Sequence, residues 1–265
     1  MVSAPHTEGL TVVPLVKRQT ARSRQGHQAT VACAQCELNG FLHLFDGIPL
    51  EMAQVFLFRQ QPIAKGASLF LTGDDFHGVY AVKEGCIKKF SLSPQGEESI
   101  SGFALPGELL GLESIHAPHY TSSAIALEDS LVCWLPMRQL ELLEERFPLF
   151  QQELLNTLAS HLTQQQQQFV LPARQTAEAR LAAFLLNLAE RYARRGLSGQ
   201  RFRLPMLRMD IANFLGMSME TVSRTLKHFQ AAGLLHATGK HIHLLNLPVL
   251  QSIAQYTLTC ELAPD

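Results

Sequence analysis

Two groups of residues in this 265-residue chain have the types and spacing to do chemistry. One is the pair in Cys33-Ala34-Gln35-Cys36. Thiolates held two residues apart bind soft metals or exchange with a disulfide. The chain has five cysteines, an odd count that does not make a disulfide framework, so metal or redox chemistry in a reducing compartment is the question they raise. The other group is Met219-Glu220-Thr221-Val222-Ser223-Arg224. On a helix these place Glu220, Ser223 and Arg224 on an outer surface near its N-terminal end. Arg224 can give guanine O6 and N7 two parallel hydrogen bonds, Glu220 can accept from a cytosine amino group, and Ser223 can serve a base or a phosphate.

The elements that must position the second group are legible around it. A short helix carrying Ile211, Ala212 and Leu215 is predicted to end at Gly216, whose missing Cβ permits a tight turn. Ser218 can then cap a second helix with Val222 and Leu226 buried, which is the grammar of a helix-turn-helix. A helical hairpin used only for packing has the same grammar. What separates the two is the sequel: Leu234 to Leu245 reads as two short strands around Thr238-Gly239-Lys240, a wing with Lys240 near its tip for a phosphate. The second helix adds Lys227 and no acidic residue other than Glu220. Charge agrees, although the net value of −1 hides it: residues 174–265 hold eleven Lys and Arg against six Asp and Glu, a local +5 that leaves −6 on residues 1–173. The basic part has the polarity of a double-stranded DNA partner.

Upstream, residues 1–30 show no periodicity and read as a tail. Ten of the seventeen glycines fall between Gly40 and Gly111, spaced between short runs such as Leu69-Phe70-Leu71, Val79-Tyr80-Ala81-Val82 and Ile87-Lys88-Lys89-Phe90. The pattern predicts an all-β sandwich or barrel, continuing through Ser122–Leu127 and Leu131–Leu135, within a region spanning 31–147. Pro148 and Pro172 bracket a predicted helix over 148–172. Its residues Leu155, Leu158, Leu162, Gln165 and Phe169 are spaced 3, 4, 3 and 4, the seam of a coiled coil, and a homodimer is the simplest partner. The competing reading is a long helix lying on its own domain. A further helix is predicted over Ala177 to Arg194 with Leu181, Phe184, Leu185 and Leu188 on one face. The DNA-binding domain is expected over 173–250 and a C-terminal tail over 251–265, making the chain α+β.

The longest apolar stretches, such as Leu181 to Leu188, fall short of the roughly 18 residues that cross a bilayer. Residues 1–28 lack the continuous apolar core of a signal peptide, which places the chain in the cytoplasm. An enzymatic or small-molecule-binding β-roll with a degenerate DNA-binding domain is the rival from another class. The β-roll segment offers it no metal-binding His pair, nucleophile elbow or phosphate loop.

The order of β-roll, long helix and winged helix-turn-helix resembles the Crp/Fnr superfamily of bacterial transcription regulators. Lys65-Gly66-Ala67-Ser68-Leu69-Phe70-Leu71-Thr72-Gly73-Asp74 and Val79 through Lys88 look like its β-roll signature. Glu220-Thr221-Val222-Ser223-Arg224 looks like the recognition helix of the fumarate-nitrate (Fnr-type) branch. That resemblance implies a cyclic-nucleotide-binding-like roll, a dimerisation helix, contact with RNA polymerase, and a TTGAT-like palindrome read by Glu220, Ser223 and Arg224. Cyclic-nucleotide-binding relatives carry a Glu for the ribose and an Arg-Ser pair for the phosphate. Here Leu112 stands where the Glu belongs and Tyr120-Thr121-Ser122-Ser123 contains no Arg, so no cyclic nucleotide is expected.

The resemblance also bears on the cysteines. The fumarate-nitrate regulator holds an oxygen-labile 4Fe–4S cluster on three N-terminal cysteines and one on a late β-roll strand. Cys33 and Cys36 match the first two and Cys133 the last, while the third position holds Leu42, which cannot ligate iron. His43 is adjacent and imidazole binds iron in some clusters, and Asp46 offers oxygen in the same loop. A thiol–disulfide switch between Cys33 and Cys36, or control by the protein's abundance alone, are the alternatives. Cys86, read as a strand residue, and Cys260 are expected to be bystanders. Related oxygen sensors place an acidic residue on the dimer helix, whereas the seam here has neutral Gln165; this predicts a dimer without any cofactor.

Overall fold

The computed structural model describes residues 30–31, 58–159 apart from 147, 150, 153 and 157, and 176–255. Among the described residues the N-terminal region is a roll of nine short strands: β1 (Thr30–Val31), β2 (Phe58–Ile63), β3 (Ser68–Phe70), β4 (Gly78–Glu84), β5 (Ile87–Leu92), β6 (Glu98–Ala104), β7 (Leu109–Leu110), β8 (Ser123–Ala126) and β9 (Ser130–Pro136). They form a five-stranded sheet in the order β1-β2-β9-β4-β7 and a four-stranded sheet in the order β3-β8-β5-β6. Their inward faces share one core, with Phe70, Val82, Ile87, Leu110, Tyr120 and Val132 among its members. Gly78 lets β4 and β9 close up, since a Cβ there would lie 2.1 Å from the Leu135 carbonyl oxygen. The predicted runs around Leu69, Val79, Ile87, Ser123 and Leu131 are all strands. Thr30 pairs with Arg59, so the expected N-terminal tail gives way to a strand one residue early.

A helix that the sequence reading missed follows β9 at once: α1 (Met137–Arg146) packs against β4 and β9, with Leu140 buried. Pro148 therefore does not open the first helix after the roll. Helical backbone continues among the described residues of 148–159.

The C-terminal region comprises α2 (Ala177–Ala193), β10 (Arg201–Arg203), α3 (Arg208–Leu215), α4 (Met219–Ala231), β11 (Leu235–Thr238), β12 (His241–Leu244) and α5 (Leu247–Ala254). Thr176 caps α2 by accepting from the Ala179 amide at 3.1 Å, and Leu181, Phe184, Leu185 and Leu188 are buried as predicted. The boundary at 250 needs correction. Asn246 caps α5, which packs on α2 through buried Leu250 and Ala254, so folded structure runs past the residue where a tail was expected to begin. Beside the roll's own core, a second cluster spans the two regions: Phe90, Ile100, Phe103 and Leu105 of the roll join Phe184, Ile211, Val222, Leu226 and Phe229 in it. Phe103 and Phe214 meet edge to face at 5.4 Å between ring centres.

Candidate nucleic-acid interface

The turn between α3 and α4 forms as the sequence predicts. Gly216 sits at φ 60°, a left-handed conformation that glycine adopts without penalty, and ends α3. Ser218 Oγ accepts from the Thr221 amide at 3.1 Å and starts α4. Val222, Leu226 and Phe229 anchor α4 in the core, and the opposite surface exposes Glu220, Arg224 and Lys227, with Ser223 half-buried beside them. Spacing by three and four residues makes that division: one stripe is apolar and the other carries hydrogen-bonding groups.

Two arginines that the sequence reading left out support this surface. Arg180 of α2 donates from Nη1 to the carbonyls of Leu215 and Gly216, at 2.8 and 3.2 Å, and so pins the turn. Arg208, exposed at the start of α3, donates from Nη1 to Ser223 Oγ at 3.3 Å. Neither had a sequence signal, because each reaches across at least fifteen positions. The wing is present as β11 and β12, paired antiparallel with Leu235 opposite Leu244 and Thr238 opposite His241. Lys240 is half-buried and its ammonium donates to the Pro205 carbonyl at 2.7 Å, tying the wing tip to the segment that leads into α3.

In the roll, Cys133 lies on β9 opposite Gln60 of β2 and Ala81 of β4. Val132 faces the roll interior, so by strand alternation Cys133 faces the other way, with Val79, Ala81 and Leu135 along the same surface. That face is nonetheless covered, for Cys133 is only 3% exposed. Cys86 belongs to the turn before β5 rather than to a strand, and its burial pushes the thiol up to about 12. That keeps it a neutral packing group. Where a cyclic nucleotide would need a carboxylate stands buried Leu112. Across from it, the Thr72 amide donates to Ser123 Oγ and the Thr121 amide to Ser114 Oγ, while the Tyr120 hydroxyl donates to the Gly78 carbonyl at 2.7 Å. Tyr120 itself stacks on Phe70 at 4.0 Å.

Comparison with known proteins decides the family. Residues 179–253 match the Crp-like helix-turn-helix domain and residues 60–146 the cyclic nucleotide-binding domain. The fumarate and nitrate reduction regulatory protein of Salmonella typhimurium is 36% identical over 243 residues, covering 91% of this chain and 97% of that protein. Its Escherichia coli K12 counterpart matches to the same extent. The chain belongs to the Crp/Fnr family. Members are DNA-binding transcription regulators, and this one is of the Fnr type. FixK2 from Bradyrhizobium japonicum superimposes on this Crp/Fnr regulator with a TM-score of 0.68 at 30% identity, over 74% of this chain and 97% of that one. A CRP-family transcriptional regulator from Thermus thermophilus, at 22% identity and a TM-score of 0.60 over 77% of this chain and all of that one, shares the fold.

Several sequence-predicted residues of the regulator lie outside the described residues: Cys33, Cys36, Leu42, His43, Asp46, Leu162, Gln165, Phe169 and Cys260. Of the dimer seam, Leu155 is 60% exposed and Leu158 half-buried within the single chain. Among the described residues no helix is long and apolar enough to cross a membrane, and no group of three or more His, Cys, Asp or Glu side chains could hold a metal ion.

Proposed function

We propose that this cytoplasmic Crp/Fnr regulator binds a TTGAT-like palindrome as a homodimer and responds to oxygen or redox state through an iron–sulfur cluster on Cys33, Cys36 and Cys133, with His43 as a further ligand. The arrangement of α4 carries the DNA part: a capped helix, anchored by Val222, Leu226 and Phe229, leaves Glu220, Ser223 and Arg224 facing outward as a set. Arg224 pairs with guanine, Glu220 with cytosine, and Ser223 with a base edge or phosphate. Exposed Leu155 is consistent with a partner helix, since a leucine left in water on a helix otherwise forgoes roughly 1.5–3 kcal/mol of burial. RNA polymerase is the expected second partner.

The cluster part is supported by the placement of Cys133. Only β2 lies between β9 and β1, which ends two residues before Cys33, so about 10 Å separates their strands. A bound cluster supplies oxygen-labile iron–sulfide chemistry. The chain's contribution is thiolate binding at the three cysteines and exclusion of water by the covered face around Cys133. Leu42 contributes no donor; His43 beside it is the proposed fourth ligand, with the Asp46 carboxylate the alternative in the same loop.

Anaerobic purification followed by iron and sulfide analysis tests the input; colourless, iron-free protein ends the cluster proposal and leaves thiol redox at Cys33 and Cys36 or abundance as the control. Gel-shift titration on a TTGAT palindrome tests the output, with Arg224→Ala expected to weaken binding and relax sequence preference. Sedimentation of metal-free protein tests the dimer, which the neutral Gln165 predicts to persist; a monomer at micromolar concentration refutes it.

A further inference from the structure

The roll and the reading domain meet along the edge of a sheet, and one side chain closes that edge. In the order β3-β8-β5-β6, β6 has no neighbouring strand on its outer side among the described residues. The open edge of a sheet presents unpaired N–H and C=O groups at alternate residues. Asn213, in the last turn of α3, meets one such pair: its Oδ1 accepts from the Ile100 amide at 2.8 Å, and its Nδ2 donates to the Glu98 carbonyl at 2.7 Å. A side-chain amide here takes the place that the backbone amide of a neighbouring strand would occupy. The two partners also fix which end of the amide is oxygen, because the Ile100 N–H needs an acceptor and the Glu98 carbonyl a donor.

One helical turn earlier, on the same face of α3, Asp210 makes a second attachment. Its Oδ2 accepts from the Leu207 amide at 2.9 Å, while Oδ1 lies 3.3 Å from the Lys88 ammonium of β5, which also binds Glu98 at 2.8 Å. Both attachments therefore address the β5–β6 hairpin from α3. Since α3 is joined to α4 through the Gly216 turn that Arg180 pins, the orientation of α3 on β6 is the orientation of the recognition helix.

We infer that Asn213 is a positioning residue for DNA recognition: its amide docks α3 on the β6 edge and so sets the angle at which α4 is held to the roll. The inference rests on the proposed reading of DNA by α4 in a dimer. Stability is a poor explanation for this contact. Asn213 is exposed, and its bond to the Glu98 carbonyl lies at the surface, where water could take its place at small net cost, while the Ile100 amide is part-buried. What water would not replace is direction. Two antiparallel hydrogen bonds to one planar amide fix both where α3 sits along β6 and how it is turned. The buried contact of Phe103, Phe184 and Phe214 behind them supplies attraction with less angular definition.

A palindrome and a single half-site separate positioning from mere folding. Each α4 reads its own half-site, but a palindrome demands that two heads be held at one mutual angle. In the full-length protein, Asn213→Ala is expected to weaken binding to the TTGAT palindrome about tenfold by fluorescence anisotropy, while affinity for DNA with one half-site and the melting temperature stay at wild-type values. Hydrogen exchange at Ile100 should quicken. Asn213→Asp keeps an acceptor for Ile100 but faces the Glu98 carbonyl with a second acceptor, and should lose palindrome affinity at least as far. Wild-type palindrome binding by both variants, or equal loss on palindrome and half-site, overturns the inference. Arg224→Ala in the same assay should weaken binding to both DNAs; if it weakens neither, the reading of α4 fails, and that result is distinct from any behaviour of Asn213.

Discussion

The helix-turn-helix domain and the roll place their candidate residues in opposite ways. Glu220, Ser223, Arg224 and Lys227 lie within two turns of one helix, whose cap, Ser218, and whose buried stripe, Val222 to Phe229, are contained in the same segment. Cys133, by contrast, is separated from Cys33 and Cys36 by about a hundred positions, and the proposed cluster would rely on the order of strands to bring them together. The first arrangement tolerates drift elsewhere in the chain. The second would tie the proposed signal detection to the integrity of the whole roll.

This contrast can be broken most forcefully at α4's anchor. Phe229→Ala should destabilise the reading domain by about 3–5 kcal/mol in denaturant unfolding, because a fully buried ring leaves a cavity. If the roll unfolds in the same transition, the shared core makes the two regions one cooperative unit. Loss of one guanine contact comes next: Arg224→Ala should cost about 1–3 kcal/mol per half-site and relax sequence preference at that base pair, as read by anisotropy on base-substituted duplexes.

A smaller effect tests how the regions are joined by charge. Glu108 of the roll, just after β6, binds Arg191 and Arg195 at the end of α2. Burial by itself would raise the Glu108 carboxyl, but the two guanidiniums outweigh it and hold the group below the usual carboxylate range. A depressed carboxyl contributes stability that is complete above its unfolded value, about pH 4.3, and is lost as pH falls through the folded value. Wild type should therefore melt above Glu108→Gln throughout the neutral range, with the gap closing only in acid. A gap that is constant down to strong acid would show that the charge is not what joins them. The least effect is expected at Cys86, whose buried thiol, pushed up to about 12, should resist iodoacetamide in folded protein and react on unfolding. Rapid alkylation of native protein would mark that part of the roll as open.

Much of the DNA-binding site is legible in the sequence because its logic is local. Gly216 and Ser218 announce the turn, and the apolar spacing from Val222 to Phe229 assigns the outward face by elimination. The Lys240 contact was not legible for the corresponding reason: position on a hairpin tip says nothing of the Pro205 carbonyl that the chain folds beneath it. Likewise α1 follows β9 with no loop to signal the change, and α5 continues the folded domain past 250 because α2 offers a surface for Leu250 and Ala254.

By itself, then, the sequence determined the class of fold, the helix-turn-helix with its wing, the outward residues of α4 and the polarity of the two halves, since all of these follow from periodicity, capping and composition over short windows. Only the tertiary structure decided that Asn213 seals the β6 edge from 113 positions away, that Glu108 joins Arg191 and Arg195, and that Cys133 faces away from the roll interior. The physical reason is the range of the interactions. A cap or a helical face is satisfied by residues within a turn or two, whereas a strand edge or a buried carboxylate takes whichever partner the packing of sheets and helices brings to it.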